Sequence, residues 1–160
     1  MQKDITFFWN NRTPLSNWYP SEFEYLRMKF SCGEQYMMYM KAATFMDIDS
    51  ATAIMDTRDP ARQKELGRGV KNYDDHLWSL VRKPIMVAGL YQKFLQCEVP
   101  KKALLDTGNT ILAEANPHDR IWGIGLAASD PRASDPSKWL GQNLLGEVLT
   151  EVRSRLRGYN

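Results

Sequence analysis

The stretch GEQYMMYMKA, residues 33–42, constrains the fold more than any other. Read at helical spacing it is apolar on nearly every side, with Tyr36, Met37, Met38, Tyr39, Met40, Ala42 and Ala43 spread around the axis. A helix of that kind has no face to give to water, so other elements must surround it. It nevertheless carries two formal charges, Glu34 and Lys41. Seven residues are about two turns, so both charges share one face with their backbones about 10 Å apart along the axis. Helical ion pairs form at three or four residues, and this spacing is too long for one. Each charge therefore needs a partner, or a ligand, on whatever that face looks at. Two readings stay open. Glu34 caps the helix start and Lys41 snorkels to water; or carboxylate and amine converge on a cleft, where partial burial tunes them for acid–base or nucleophilic work.

The remaining elements suit a shell around such a helix. The spacing predicts strands at Ile5–Trp9 and through EYLRMKF, an ordered loop at PLSNWYP, and helices over Glu34–Phe45 and Ser50–Thr57. Asp59-Pro60 gives an N-cap and a first-turn proline ahead of a helix stopping at Gly67. Another helix begins at Asp74 or Asp75, with a kink or break near Pro84. A short one covers Pro100–Asp106, two extended segments follow in ILAEAN and RIWGIGL, and a last helix runs from Lys138 or Trp139 to Leu156. With 160 residues and no repeat or linker, one core is expected. The predicted fold is mainly α (α+β): a single compact multihelical domain, 1–160, with a few short β-strands.

Charge narrows the function. The net charge of +2 comes from 21 basic and 19 acidic residues mixed along the chain, which excludes a general polyelectrolyte binder. Any anion must meet a local cluster. The N-terminus MQKDITFFWN has no long apolar run and no stretch is long enough to span a bilayer, so a cytoplasmic protein with no membrane partner is expected. Cys32 and Cys97 lack ligand spacing, and His76 and His118 are too scattered to complete a zinc site, so no metal is expected and the thiols read as reduced and mostly buried. No Walker loop, dinucleotide fingerprint or Asp cluster is present, so no cofactor is expected either.

Four further places carry candidate site residues. Ser16-Asn17 lies among Trp9, Trp18 and Tyr19, a setting for stacking and hydrogen-bonding a planar heterocycle. Arg68, between glycines at a helix end, suits a phosphate. The stretch EANPHDRIWGIG, residues 114–125, gathers Glu114, His118, Asp119, Arg120, Trp122 and Gly123 in a turn between apolar segments, which suits a site edge. Glu114 and Asp119 serve as acid and base or hold ribose hydroxyls; alternatively Asp119 and Arg120 stabilise the loop and Trp122 anchors the core. Asn143 contacts a ligand or satisfies backbone groups.

Taken in order, FFWNNRTPLSNWYP, GEQYMMYMKA, DPARQKELGRGV, LWSLVRKPIMVAGLYQKF, LLDTGNTILAEANPHDRIWGIGL and WLGQNLLGEVL resemble the NADAR superfamily, also called YbiA-like. The resemblance covers about Phe7 to Leu156, and its strength lies in six separated motifs agreeing in order and spacing. It implies a small, mainly helical N-glycosidase that needs no metal. The substrates implied are phosphorylated ribosylaminopyrimidine intermediates of riboflavin biosynthesis, or guanine in nucleic acid that carries ADP-ribose on its amino group. Carried over by motif, the functional positions are Glu34, Lys41, Arg68, Trp78, Glu114, Asp119 and Trp122. Two departures lie at the expected site edge: Asn10-Asn11-Arg12 stands where many members have a glycine, and Asn116 gives EAN where EAS is usual.

The expected catalytic set is thus Lys41, Glu34 and Asp119. The expected binding set is Trp9, Ser16, Asn17, Arg68, Trp78, Glu114, Arg120, Trp122, Gly123 and Asn143. Lys41 either forms an imine with the sugar or supplies a proton to the leaving amine. The rival from another class is a non-catalytic module that binds ADP-ribose or a nucleotide through the same groups; a purely structural protein would leave Glu34 and Lys41 exposed with no pocket.

Overall fold

A computed structural model describes residues 4–158; residues 1–3 and 159–160 of the expected domain lie outside it. The buried helix is α1, Gly33–Thr44. Gly33 through Met38 and Ala42 are all buried, and Tyr39, Met40 and Lys41 are half-buried. Around it stand α2 (Ile48–Met55), α3 (Pro60–Arg68) and the 22-residue α4 (Asp75–Gln96), each in contact with α1. The caps are those that the sequence supplies. Asp47 accepts from Ser50 N at 3.1 Å, Asp59 from Ala61 N at 3.0 Å and Asp74 from Leu77 N at 2.9 Å.

Helix α5 (Glu98–Asp106) and helix α6 (Leu144–Leu156) close the far side of α4. The extended elements are two separate pairs. Strand β1 (Ile5–Phe8) runs parallel to β4 (Ile111–Glu114), with Phe8 opposite Glu114. Strands β2 (Phe23–Tyr25) and β3 (Met28–Phe30) form an antiparallel hairpin. Among the described residues the fold is mainly helical with few strands, as the sequence predicts.

Several expected boundaries are corrected. EYLRMKF is a hairpin and not one strand, because Leu26 and Arg27 take φ of 54° and 62° and turn the chain; the apolar–polar alternation simply continues from one arm into the other. Helix α3 runs through Gly67 to Arg68. Helix α4 passes Pro84 unbroken. Both Pro84 and Leu80 are exposed, so the Leu80 carbonyl that loses its helical donor is open to water. Helix α5 begins two residues before Pro100. RIWGIGL forms no strand, and α6 starts at Leu144 because Asn143 just before it takes a left-handed φ of 55°, after single turns of 3-10 helix at Pro131–Ser134 and Pro136–Lys138.

The main core joins Tyr36 of α1 to Phe30, Met86, Leu90, Phe94, Leu145 and Leu149. Tyr36 donates its hydroxyl to the Ile85 carbonyl at 2.8 Å, and its ring lies against Gly89, where a Cβ would stand 2.0 Å from the Tyr36 Cε1. That contact sets how closely α1 and α4 approach. A Gly89→Ala substitution gains helix propensity but forces the ring aside. The overlap is expected to win, lowering stability by about 1–3 kcal/mol in urea melts.

Candidate active site

One face of α1 meets a cavity of about 390 Å³. Glu34, Met37, Met38 and Lys41 line it, and their i, i+3, i+4, i+7 spacing is that of a single helical stripe. The other walls repeat the rule. Lys64 and Arg68 come from α3 and Trp78 and Arg82 from α4, each pair one turn apart. The end of β4 and the chain beyond it add Glu114, Asn116, Asp119 and Trp122, and the loop after β1 adds Trp9, Ser16, Asn17 and Trp18.

That loop is held from below. Fully buried Lys93 of α4 donates to the Ser16 carbonyl at 2.8 Å, and Glu34 N donates to the Asn17 carbonyl at 2.9 Å, so α4 and α1 each grip one residue of the wall. Burial pushes the Lys93 ammonium down to about 8.

Opposite, Asp119 folds its own loop: its Oδ1 accepts from Ile121 N at 2.9 Å and Trp122 N at 2.8 Å. Phe8 and Glu114 are register partners, which brings the Trp9 loop and the Glu114 loop to the same end of the β1–β4 ribbon.

The electrostatics are unusual for so small a space. Glu34, 3% exposed, is pushed up to about 7 by burial, against the pull of Lys64, a hydrogen bond from the Trp18 side chain and Arg68; Asp119 pushes it further up. Burial, then Asp119 and Glu34, raise Glu114 to about 8. Both carboxyls thus hold their protons more tightly than free ones do, Glu114 the more so, which suits the pair to act as acid and base near neutral pH. Burial also lowers Lys41, with Asp75 opposing and Arg68 adding to the fall. Its Nζ donates to the Gly67 carbonyl at 2.8 Å and lies 4.4 Å from the Tyr73 ring centre. Glu34 and Lys41 form no ion pair with each other among those of the described residues. Among the described residues four buried side-chain polar atoms lack a hydrogen-bond partner, Asn17 Oδ1, Glu34 Oε1, Glu114 Oε2 and Arg82 Nε, and all four residues line the cavity. Among the described residues no three His, Cys, Asp or Glu side chains cluster as metal ligands.

Of the residues expected from sequence, Trp9, Ser16, Asn17, Glu34, Lys41, Arg68, Trp78, Glu114, Asp119 and Trp122 meet at this cavity. Arg120, Gly123 and Asn143 do not line it. Arg120 is exposed. Gly123 is packed where a Cβ would lie 2.9 Å from the carbonyl oxygens of both Glu114 and Asp119. Asn143 is spent on the backbone, accepting from Glu114 N at 3.1 Å and donating to the Leu112 carbonyl at 2.8 Å. Lys64, Tyr73 and Arg82 line the cavity without having been expected. A signal existed for two of them: Lys64 stands one turn before Arg68, and Arg82 one turn after Trp78.

Comparison with known proteins agrees with this architecture. The NADAR domain family matches residues 7–157. Protein irg-1 of Caenorhabditis elegans is 38% identical over 170 residues, 96% of this chain and 80% of that one. An N-glycosidase of Acanthamoeba polyphaga mimivirus is 40% identical over 143 residues, covering 86% of this chain and 84% of its own. The NMR structure of the E. coli protein YbiA superposes with a TM-score of 0.78 at 24% identity, over 98% of this chain and 87% of that one, a likeness of fold.

The two raised carboxyls weaken the fold at neutral pH. Unfolded, each titrates near 4.5; folded, they hold their protons to about 7 and 8. Between those limits the folded state binds more protons than the unfolded, so stability falls as pH rises from about 4.5 towards 8. A Glu114→Gln variant is expected to melt roughly 5 °C above the parent at pH 8. The gain should vanish at pH 4, where both forms are neutral. Thermal melts across that range check both the sign and the window.

Proposed function

The chain belongs to the NADAR domain family, and from that premise we propose that it is an N-glycosidase, hydrolysing the bond between C1 of a ribose and the exocyclic amine of a base. Relatives in the mimivirus and in Nostoc punctiforme bear the name N-glycosidase, at 40% and 29% identity. The observation that carries the reading is the meeting of an amine, Lys41, with two carboxyls of raised affinity for protons inside one aromatic-walled cavity. Breaking an N-glycoside needs a proton for the departing amine, a stabilised C1 and a water; this set supplies the first two and a base for the third.

The chemistry we assign runs through Lys41. The lone pair of the exocyclic nitrogen expels the ring oxygen, which takes the proton of Glu114, leaving an iminium between C1 and the base. Neutral Lys41 Nζ adds to C1. The Glu34 carboxylate moves a proton from Nζ to the base nitrogen, and the base departs as a free amine with an iminium left between C1 and Lys41. Water then adds to C1, giving its proton to a carboxylate. Cleavage of the C1–Nζ bond returns the lysine and releases the sugar aldehyde, which closes to the ring. The depressed affinity of Lys41 for its proton supports the attacking step.

The substrate class we favour is a ribosylaminopyrimidine phosphate of the riboflavin-intermediate type. A cavity of about 390 Å³ is near the small end for ligand sites and suits one base with one sugar phosphate. ADP-ribosylated guanine would carry a second nucleoside outside it. A relative in Vibrio vulnificus is named a riboflavin biosynthesis protein, at 28% identity over 98% of this chain, although the chain spans only 40% of that protein. Trp78 and Trp122 are the stacking candidates, and action in the cytoplasm on a free metabolite belongs to the same proposal.

Incubating the protein with each substrate and following free base by mass spectrometry tests the activity; no hydrolysis of either sinks it. Lys41→Ala should lower turnover by roughly 10³-fold or more while leaving the fold intact. Borohydride added during turnover should leave a reduced sugar on Lys41, and an unmodified lysine under those conditions overturns the imine route.

A further inference from the structure

Arg82 stands apart from the other arginines. Arg58, Arg62, Arg132 and Arg155 pair with carboxylates at 2.6–2.8 Å. Arg153, also buried, donates to Thr107 Oγ1 at 2.7 Å and to the Thr110 carbonyl at 2.9 Å. Arg82 is 8% exposed, and among the described residues it makes no hydrogen bond or ion pair; its Nε is wholly buried without a partner. An Nε–H shut off from water with nothing in return costs stability, and packing alone would favour a leucine or methionine there. Arg82 lines the cavity together with Lys41 and with Tyr73, the ring over which Lys41 Nζ sits.

We infer that Arg82 is the anchor for the phosphate oxyanion of the sugar, taking the place that the sequence suggested for exposed Arg68. The planar fork of a guanidinium matches two oxygens of a phosphate, and a charge-assisted bond gains most where water is excluded. The assignment rests on the N-glycosidase reading for the kind of ligand, and it orients that ligand: phosphate towards α4, with C1 between Lys41 and Glu34. A phosphate monoester and the diphosphate of ADP-ribose offer the same chemistry to Arg82.

The test compares wild type, Arg82→Met and Arg82→Lys by thermal melts and by tryptophan fluorescence, since Trp78 lies one turn away. The ligands are ribose 5-phosphate, ADP-ribose and unphosphorylated ribose. Without ligand, Arg82→Met should melt at or above the wild-type temperature. Its Kd for the phosphorylated ligand should rise by roughly 10- to 100-fold, its response to ribose should be unchanged, and Arg82→Lys should recover part of the loss. Whichever of the two phosphorylated ligands shows the Arg82-dependent shift identifies the source of the oxyanion. An Arg82→Met protein that melts several degrees low without ligand, or that binds both phosphorylated ligands as the wild type does, overturns the inference. Intact Arg82-dependent binding with no hydrolysis of any substrate would remove the enzymatic reading and leave this one standing.

Discussion

Helix α1 has almost no side of its own to give to water, and most of the architecture follows from enclosing it. Helices α2, α3 and α4 pack on it, and the β2–β3 hairpin lays Phe23 and Phe30 against its Tyr36. The enclosure fails along one stripe. There Glu34, Met37, Met38 and Lys41 face empty space, and the two ends of that stripe carry the helix's two charges. The cavity is the part of α1 that the shell leaves uncovered, so the element that nucleates packing also presents the reactive groups. A site on a rigid central helix is held more firmly than one built from loops alone.

Holding those groups is costly. Two carboxyls are forced out of their ordinary range by burial, an arginine is sequestered without a partner, and a lysine is sunk completely beneath the Ser16–Asn17 wall. Elsewhere the protein is conventional in its polar accounting. The Gln35 amide bridges the Ser31 amide and the carbonyls of Ile54 and Thr57, and the Asp47 carboxylate, held down near 2 by the Lys71 and Ser50 amides and the Ser50 hydroxyl, ties the chain after α3 to the start of α2. Satisfied networks and unsatisfied groups are thus segregated. The residues that carry these four orphaned atoms all line the cavity beside α1, the distribution expected when strain is kept where a ligand can relieve it.

Much of this was readable in the sequence because helical periodicity reports faces directly. The stripe at 34, 37, 38 and 41, the Asp59-Pro60 start and the Asp74 cap needed only spacing and residue type. The segment after β4 was harder. There, nearness to Asp119 and Trp122 along the chain stood in for nearness in space, but an irregular backbone turns its residues to different sides. Arg120 points to solvent while Gly123 is wedged between carbonyls and Asn143 is used up on the backbone. Lys93 in LYQKFLQ looks like any surface lysine, since nothing local says that the loop around Ser16 will close over it. Arg82 was legible in principle from its phase with Trp78, but a charged residue in α4 reads by default as solvated.

The pairing of β1 with β4 joins segments far apart in the chain: Phe8 and Glu114 are neighbours across more than a hundred residues of sequence. Closing so long a loop is slow in entropic terms, and it comes late when a chain emerges from its amino end. The helical shell around α1 can assemble from local contacts first, but the wall bearing Glu114 and Asp119 must wait until the strand beyond α5 has been made. A nascent chain halted before that point would hold Lys41 and Glu34 in a groove lacking its second carboxyl. The chemistry is therefore completed only after the helices that frame its first half.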